Sequence, residues 1–511
     1  MAPVPWWRSA VIYQIYPRSF ADSPGGRGVG DLDGIRRHLD HLTWLGVDAV
    51  WLSPFYRSPM ADFGYDVSDH CDVDPIFGAL ADADRLIAEA HARGLRVLVD
   101  WVANHTSDRH PWFVDARSSR DSEHRNWYVW RDPAPGGGPP NNWRAAFGTD
   151  VPAWTFDEAS GQYYLHLFLP EQPDLNWSEP AVEQAMHDVI RFWLDRGVDG
   201  FRADAIHAIG KDPALADDPP GSAGLPRSST NDDPATHGHL RALRRLLDGY
   251  PGDRVVVGEV YLLDTAKVAT YYGDGDELHL AFNFPPLYTP WEASAWHQRL
   301  DEAERHLAPA GWPTWVLSNH DNPRPRTRYG SEDQARAAAV LLLTLQGTPF
   351  LYAGDELGLE DAVVPPERAL DPGGRDGCRA PLPWTAAPGH GWHAEPWLPW
   401  PPDPKRRNVD SLRADPSSIM HLYRRLLAAR RASPALERGA MQRLASPDGL
   451  VAWTRSEGDD VRTVAVNFTG AERALTLPGD WAIEVSSDGR HEGRPWPSRL
   501  GPDTAVVLRR R

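Results

Sequence analysis

The sequence contains little cysteine and no long apolar segment. Cys71 and Cys378 are its only cysteines, and neither lies in a Cys-x-x-Cys spacing, which excludes a disulfide-rich scaffold and a cysteine-ligated metal centre. No stretch approaches the ~20 apolar residues of a membrane helix, and the N-terminus lacks the basic and apolar segments of a signal peptide. We therefore expect a cytoplasmic protein with reduced thiols and no membrane partner.

Basic residues are also fewer than acidic ones. The formal net charge is −18 at pH 7, which argues against nucleic acid or an anionic membrane as a partner, because both bind basic surfaces. Internal repeats and long low-complexity tracts are absent as well. These absences leave neutral small molecules open as ligands and predict no particular oligomeric state.

Strand-like and helix-like segments alternate along most of the 511 residues. Apolar residues recur at helical spacing at 35–45, 80–92, 182–194 and 419–431. Eight strand-helix units favour a closed α/β fold, a (β/α)8 TIM barrel, over an open doubly wound sheet. The predicted strands lie at 11–16, 49–52 and 96–102 and near Val198, Val255, Leu278, Thr314 and Thr348.

Two irregular stretches interrupt the alternation. The run Pro-Ala-Pro-Gly-Gly-Gly-Pro-Pro at 133–140 cannot form a helix or a central strand, and 361–415 is rich in proline, glycine and tryptophan. Short strand-like runs appear after residue 441. We predict barrel segments at 1–103 and 175–436, a domain inserted after the third strand at 104–174, an irregular lobe at 361–415 and a C-terminal β-sandwich at 437–511.

Three predicted strands end in an acidic residue. Asp204 ends Gly-Phe-Arg-Ala-Asp, Glu259 ends Val-Val-Val-Gly-Glu, and Asp321 ends Ser-Asn-His-Asp. The carboxyl ends of parallel strands meet at one face of a barrel, where such enzymes carry their chemistry. Arg202 points to the same side of its strand as Asp204 and can keep that carboxylate ionised. An isolated pair of this kind is usually solvated, but three coinciding strand ends favour a catalytic site.

The order and content of these segments resemble a known enzyme family. The segments at 100–105 (Asp-Trp-Val-Ala-Asn-His), 200–204, 258–259 and 318–321 resemble the four ordered motifs of the α-amylase family, glycoside hydrolase family 13. The segment at 172–176 (Gln-Pro-Asp-Leu-Asn) resembles the form in its α-glucosidase and oligo-1,6-glucosidase branch. The likeness implies the same barrel, with the insertion at 104–174 as domain B.

The resemblance also implies roles in a retaining glycosidase. Asp204 is the expected nucleophile, Glu259 the general acid/base and Asp321 the stabiliser of the transition state. Retention needs two carboxyl groups across the scissile bond. Desolvation behind the Val-Val-Val-Gly strand should raise the pKa of Glu259, which suits a general acid.

Further sugar contacts follow from the same resemblance. It implies hydrogen bonds to sugar hydroxyls from His105 and His320, and stacking of Tyr65 on the terminal glucose. Asp66 is expected to pair with an arginine and grip the far hydroxyls of that ring, which would make the enzyme exo-acting. The arginine lies in the segment 374–384, where the likeness favours Arg375 over Arg379.

In many relatives the loop after the first strand binds calcium. Here Asp22 and Asp31 are kept, but the middle of the loop is one residue longer and carries Arg27, whose charge would neutralise the two aspartates. The glycine-rich run in this loop matches no phosphate-binding spacing. We therefore expect neither a metal nor a cofactor.

These features predict an exo-acting α-glucosidase that hydrolyses short α-glucosides. Ala205, next to the nucleophile, favours α-1,4 over α-1,6 bonds, because valine accompanies α-1,6 cleavage in the relatives that the sequence resembles. A transglucosidase or sugar isomerase would share every catalytic residue and stays open as an alternative. A noncatalytic binding relative is a more remote one, since all three acids are intact.

Overall fold

The computed structural model describes residues 4–147, 151–219 and 232–511. Residues 1–3, together with parts of the predicted insertion (148–150) and of the second barrel segment (220–231), lie outside this description. One parallel sheet forms a nearly closed barrel, which confirms the predicted fold. Its strands are β1 (Ile12–Ile15), β2 (Ala49–Leu52), β3 (Arg96–Val102), β4 (Gly200–Asp204), β5 (Val255–Gly258), β6 (Leu280–Ala281), β7 (Thr314–Val316) and β8 (Thr348–Tyr352).

The strands pair in the order β6-β5-β4-β3-β2-β1-β8-β7. Val102 pairs with Asp204 at the ends of β3 and β4, so Asp204 lies at the carboxyl edge of the sheet. Among the described residues no backbone ladder joins β6 to β7. Thr314 spans this gap, because its hydroxyl donates to the Ala281 carbonyl (2.7 Å) and accepts from the Asn283 N–H (3.2 Å).

Helices follow most strands. The predicted helices at 80–92 and 419–431 are found with these bounds, whereas 35–45 is divided at His38 between two helices. The α-helices described are Trp6–Ser9, Pro17–Phe20, Leu32–Arg37, Leu39–Leu45, Leu80–Ala92, Pro111–Ser118, Pro180–Asp195, Ala235–Asp248, Thr265–Thr270, Ala293–Glu302, Ala308–Ala310, Pro325–Tyr329, Glu332–Thr344, Val409–Ala414, Ile419–Arg431 and Pro434–Arg438. Shorter helical turns are Arg125–Trp127, Ile206–Ala208, Pro285–Tyr288, Ala303–Leu307, Asp355–Leu357 and Pro366–Arg368.

The barrel strands are buried on both faces. Ile12, Trp51 and Leu98 belong to one apolar cluster, and Val50 and Val97, their neighbours along β2 and β3, belong to another. Because side chains alternate along a strand, one cluster fills the barrel interior while the other packs beneath the helices. Burial on both faces fixes the strands and therefore the positions of the residues at their carboxyl ends.

Smaller sheets lie outside the barrel. The insertion after β3 contains a three-stranded sheet, and the C-terminal region is an antiparallel domain in which a five-stranded sheet accompanies a two-stranded one. The insertion strands are Trp130–Arg131, Trp154–Asp157 and Gln162–Leu165, and a hairpin after β2 is formed by Tyr56–Arg57 and Asp69–Val73. The C-terminal strands are Ala440–Leu444, Leu450–Glu457, Asp460–Asn467, Arg473–Ala474, Trp481–Ser486, Arg499–Leu500 and Ala505–Arg510.

The two cysteines are free thiols. Cys71 is half-buried and Cys378 is buried. Within the described ranges, no helix combines the length and apolar character that crossing a membrane requires.

Candidate active site

The three predicted acids all lie at the carboxyl ends of barrel strands. Asp204 is the last residue of β4, and Glu259 directly follows β5. Asp321 lies in the loop that leaves β7. Because Asp204 and Arg202 are separated by two residues of a strand, both side chains point to the same side.

Arg202 is fully buried and contacts three carboxylates. Its Nη1 donates to Asp100 Oδ1 (2.7 Å) and to Asp204 Oδ1, and its Nη2 pairs with Glu259 Oε2 (2.8 Å). The second oxygen of Asp100 accepts from Trp51 Nε1 (2.9 Å). One guanidinium therefore holds both candidate catalytic carboxylates side by side.

Burial around a single cation makes the carboxyl groups of this cluster weak acids. Burial raises the pKa of Asp204 to about 7 and that of Glu259 to about 8, although Arg202 opposes the shift in both. A pKa in this range lets Glu259 carry a proton near neutral pH, as a general acid requires. The direction for Glu259 agrees with the expectation from its apolar strand, whereas Arg202 only moderates the pKa of Asp204.

A second cluster surrounds Asp321 with two arginines. Arg375 pairs through Nη1 with Asp321 Oδ1 (3.0 Å) and through Nη2 with Asp62 Oδ1 (2.6 Å). Arg379 Nη2 pairs with the same oxygen of Asp321 (2.9 Å). Both arginines also contact Asp371 Oδ1, at 2.6 and 3.2 Å.

The second cluster keeps its central carboxylate ionised. Burial alone would raise the pKa of Asp321, but His320, Arg375 and Arg379 together hold it well below its usual range. Against the same effect of burial, the hydrogen bond from Arg375 lowers the pKa of Asp371. Asp321 is therefore a permanent negative charge beside the candidate nucleophile and acid.

The expected pairing of Asp66 with an arginine is wrong. Asp66 is fully buried, and its carboxylate accepts from Ser58 Oγ and from the N–H groups of Ala61 and Asp62, each at 2.9 Å. These donors tie the carboxylate to its own loop. Asp62, four residues earlier in the chain, occupies the place against Arg375 that was expected for Asp66.

The predicted histidines and tyrosine lie together beside these clusters. The His320 ring is nearly parallel to those of Tyr65 (centroids 5.3 Å apart, planes 6° apart) and Tyr16 (5.6 Å, 17°), and its Nε2 lies 2.7 Å from the Tyr65 hydroxyl oxygen. His105 Nε2 lies 3.2 Å from the Tyr65 carbonyl oxygen and 3.0 Å from Gln172 Nε2. Burial lowers the pKa of His105 to about 4 and that of His320 to about 3, so both rings are neutral near pH 7. Their contacts with a sugar, and that of Tyr65, stay predictions.

Sequence reasoning missed two acids of the second cluster and the side chain that links it to the insertion after β3. Gln172 Nε2 donates to Asp62 Oδ2 (3.1 Å), and this glutamine belongs to the matched segment 172–176. Asp371 lies four residues before Arg375, which was a usable signal because residues near a binding arginine are candidate partners. Asp62 gave no such signal, since Asp66 in the adjacent Gly-Tyr-Asp segment was the more conspicuous acid.

Ala205 follows the candidate nucleophile in a left-handed conformation. Its φ is 42° and its ψ 35°, values that residues other than glycine seldom adopt. This turn aims the Ala205 N–H at Glu259 Oε2, to which it donates at 2.8 Å. The backbone beside Asp204 therefore helps to orient the candidate acid.

The loop that binds calcium in many relatives does not fit a metal here. Asp31 caps a helix through the Gly34 N–H (2.7 Å) and accepts from Ser23 Oγ (2.7 Å). Asp22 accepts one backbone N–H and has one further buried oxygen, and no ion pair within the described ranges joins Arg27 to either aspartate, so the expected neutralisation by Arg27 is wrong. Calcium takes six or more oxygen ligands. In the described part of the chain, no group of three or more His, Cys, Asp or Glu residues could hold a metal.

Comparisons with known proteins identify similar enzymes. A model of the alpha-amylase catalytic domain matches residues 14–439. The probable alpha-glucosidase of Rhizobium meliloti (strain 1021) is 43% identical over 517 residues, which cover 93% of this chain and 91% of the relative. The oligo-1,6-glucosidase of Parageobacillus thermoglucosidasius is 37% identical over 524 residues, covering 93% and 92%.

Solved structures extend the similarity to the whole chain. The crystal structure of an alpha-glucosyl transfer enzyme, XgtA, has a TM-score of 0.93 and 41% identity, covering 100% of both chains. The trehalulose synthase of Pseudomonas mesoacidophila MX-45 has a TM-score of 0.91 and 33% identity, again covering 100% of both. The similarity therefore includes the barrel, the insertion and the C-terminal sheet.

Proposed function

The chain belongs to the α-amylase family of glycoside hydrolases, and from this premise we propose that it is a retaining, exo-acting α-glucosidase. Its substrates are short α-glucosides, from whose non-reducing end it releases glucose. Among these it prefers α-1,4 bonds, as in maltose. The observation that carries the proposal is the contact of one guanidinium, that of Arg202, with both Asp204 and Glu259.

Two displacements at the anomeric carbon follow from this arrangement. The Asp204 carboxylate attacks that carbon while the bond to the leaving oxygen breaks and Glu259 gives this oxygen its proton. A glucosyl ester of Asp204 results. Water then attacks the same carbon, its proton passes to Glu259, and the ester bond breaks. Asp321, permanently ionised, faces the positive charge that develops on the sugar ring.

Exo action is supported by the second cluster. The ion pair between Asp62 and Arg375 joins the loop after β2 to the lobe after β8. The Arg375 guanidinium also lies over the ring of Phe147, 4.7 Å from its centroid. We infer that these contacts form the closed end of the substrate pocket, where charged groups suit the hydroxyls of a terminal ring.

A second candidate, glucosyl transfer to another sugar in place of water, is favoured by one specific feature. Tyr288 is half exposed. Its hydroxyl contacts that of Tyr261 and donates to Asn322 Oδ1 (3.0 Å). This bridge joins three strand-end loops on the side of Glu259, where a leaving or accepting group would sit. An aromatic face there can hold a sugar acceptor. One solved relative is itself named an alpha-glucosyl transfer enzyme.

The test is a product analysis with maltose. Because maltose also releases its reducing-end glucose as a mixture of anomers, the anomer is determined with p-nitrophenyl α-glucoside. Proton NMR of early time points should then show α-glucose before the β-anomer, because two inversions restore the configuration. Oligosaccharides that grow with maltose concentration would establish the transfer reaction. First appearance of β-glucose, or no reaction with any α-glucoside, would contradict the proposal.

A further inference from the structure

The loop that carries Asp62 has an unusual backbone. Met60, Phe63 and Gly64 have φ values of 69°, 47° and 117°, all in the left-handed region. Glycine adopts this region freely, but Met60 and Phe63 do so only where surrounding contacts hold them. Asp62 lies between these two residues, so whatever holds the loop also sets the position of Asp62.

Hydrogen bonds hold the backbone of this loop. The Asp66 carboxylate accepts the N–H groups of Ala61 and Asp62, which anchors the backbone. The side chains of Met60 and Phe63 are half-buried and are not reached by this carboxylate. Both of them contact a different residue, Arg18.

Arg18 is a buried cation without a carboxylate partner. Arg18 is 7% exposed, and within the described residues its guanidinium forms no ion pair. Its guanidinium carbon lies 5.1 Å from the ring centroid of Phe63 and 4.6 Å from that of Trp397, and its Nη1 donates to Met60 Sδ (3.5 Å). A buried charge is costly unless partnered, and Arg18 is held here by two aromatic rings and a sulfur atom.

The other aromatic face is itself held in place. Trp397 belongs to the lobe after β8, and its Nε1 donates to Ser19 Oγ (3.1 Å) while its backbone N–H donates to the Gly28 carbonyl (2.9 Å). The Phe63 ring also contacts Trp397 directly (centroids 5.2 Å apart, planes 45° apart), so the two rings and the Arg18 guanidinium form one cluster. This cluster connects the Asp62 loop to the lobe that supplies Arg375.

We propose that Arg18 is a positioning residue that holds the strained Asp62 loop against Arg375 and so sets the affinity for the terminal sugar ring. This inference rests on the proposed function, in which Asp62 and Arg375 grip that ring. The hydroxyl on C4 is opposite the anomeric carbon and therefore the one that a pair at the end of the pocket can reach. Loss of the Arg18 contacts should weaken recognition of this hydroxyl without changing the chemistry at C1.

The experiment compares p-nitrophenyl α-glucoside with its 4-deoxy analogue in wild type, Arg18→Met and Arg18→Lys. For Arg18→Met we expect kcat/KM with the parent substrate to fall about tenfold, chiefly through KM, and with the analogue less than about threefold. Arg18→Lys keeps the charge without the planar group, so its kcat/KM with the parent substrate should lie between those of wild type and Arg18→Met. Arg125→Met is the matched control, because Arg125 is also buried on an aromatic ring, that of Trp130 (3.6 Å to the centroid), without an ion pair in the described ranges. Arg125→Met should alter the melting temperature but not the ratio of kcat/KM for the two substrates.

If Arg18→Met leaves the ratio of kcat/KM for the two substrates unchanged, whether both values fall equally or neither falls, the positioning role is overturned. If Arg18→Met does not fold, Arg18→Lys is used for the test, because it keeps the charge but loses the planar group that contacts Phe63 and Trp397, and the ratio should still fall. A wild-type enzyme that does not distinguish the two substrates would refute the Asp62–Arg375 grip, and the inference about Arg18 with it. Wild-type discrimination that survives in both variants would refute the Arg18 inference alone.

Discussion

The active site contains two clusters of three carboxylates that differ in their number of cations. Arg202 alone serves Asp100, Asp204 and Glu259. Two arginines serve the other cluster, which consists of Asp62, Asp321 and Asp371, with Arg375 touching all three acids and Arg379 two of them. Both clusters are buried, so burial does not account for the difference between them.

The number of neighbouring cations separates Asp321 from the carboxyl groups of the first cluster. With one arginine, the effect of burial prevails and the pKa values of Asp204 and Glu259 are raised to about 7 and about 8. With two arginines and a neighbouring histidine, the pKa of Asp321 falls well below its usual range despite burial. The first cluster is therefore suited to proton transfer and covalent chemistry, and Asp321 to fixed charge. Asp62 differs from Asp321, because burial raises its pKa against the effect of both arginines.

Removing the candidate nucleophile should have the largest effect. Asp204→Ala deletes the atom that attacks the anomeric carbon, and we expect kcat/KM to fall at least about a thousandfold with the melting temperature nearly unchanged. Assays with p-nitrophenyl α-glucoside would measure this loss. Activity above about a tenth of wild type would show that the one-arginine cluster does not hold the nucleophile.

Asp62→Asn, in the two-arginine cluster, should have the next largest effect. The amide weakens a charged hydrogen bond to Arg375, and a loss of about 10- to 100-fold in kcat/KM for maltose is expected. Asp66→Asn is the matched control. It replaces an acceptor of the Ala61 and Asp62 N–H groups, so its main effect should be a lower melting temperature. If Asp66→Asn impairs binding while Asp62→Asn does not, the roles that we give to the two aspartates are reversed.

The contrast between these two aspartates shows how far sequence reasoning reached. The eight barrel strands and the strand-end acids were predictable, because apolar periodicity and motif order depend on neighbouring residues. The pairing of Arg375 with Asp62 was not, since these residues lie 313 positions apart and a left-handed turn decides which nearby acid faces the arginine. The division of the helix at 35–45 was also missed, although it depends on local structure: His38 ends the first helix, and its ring Nδ1 lies 2.8 Å from the Gly34 carbonyl oxygen.

The pH dependence of kcat/KM should reflect the one-arginine cluster. Activity needs Asp204 deprotonated and Glu259 protonated, so the rate should rise as pH approaches about 7 and fall above about 8. Each limb approaches about tenfold per pH unit. Because the two groups interact, the apparent pKa values belong to the pair.

Glu259→Gln separates the two limbs. With a substrate whose leaving group needs no proton, such as 2,4-dinitrophenyl α-glucoside, the falling limb should disappear while the rising limb from Asp204 remains. Pre-steady-state release of dinitrophenol would measure this first step alone. A falling limb that persists in Glu259→Gln would assign it to another group and would contradict the proposed acid.

The smallest expected effect comes from enlarging an uncharged side chain beside the one-arginine cluster. Ala205→Val adds two methyl groups beside Asp204, where a leaving sugar would lie. One or two methyls alter discrimination by about 1–3 kcal/mol, so the ratio of kcat/KM for maltose to that for isomaltose should fall several-fold. Wild type should prefer maltose, and equal values for the two sugars would refute the linkage preference while leaving the α-glucosidase assignment intact.

A backbone effect must be distinguished from bulk in this variant. Ala205 has a φ of 42°, a value at which a β-branched residue is strained, so Ala205→Val should also lower the melting temperature. Ala205→Gly relieves the strain and adds no bulk, and should raise stability without favouring isomaltose. If both variants shift the ratio equally, the turn that aims the Ala205 N–H at Glu259 controls selectivity. If neither does, selectivity is set outside the one-arginine cluster, and the lobe at 361–415 is the next region to examine.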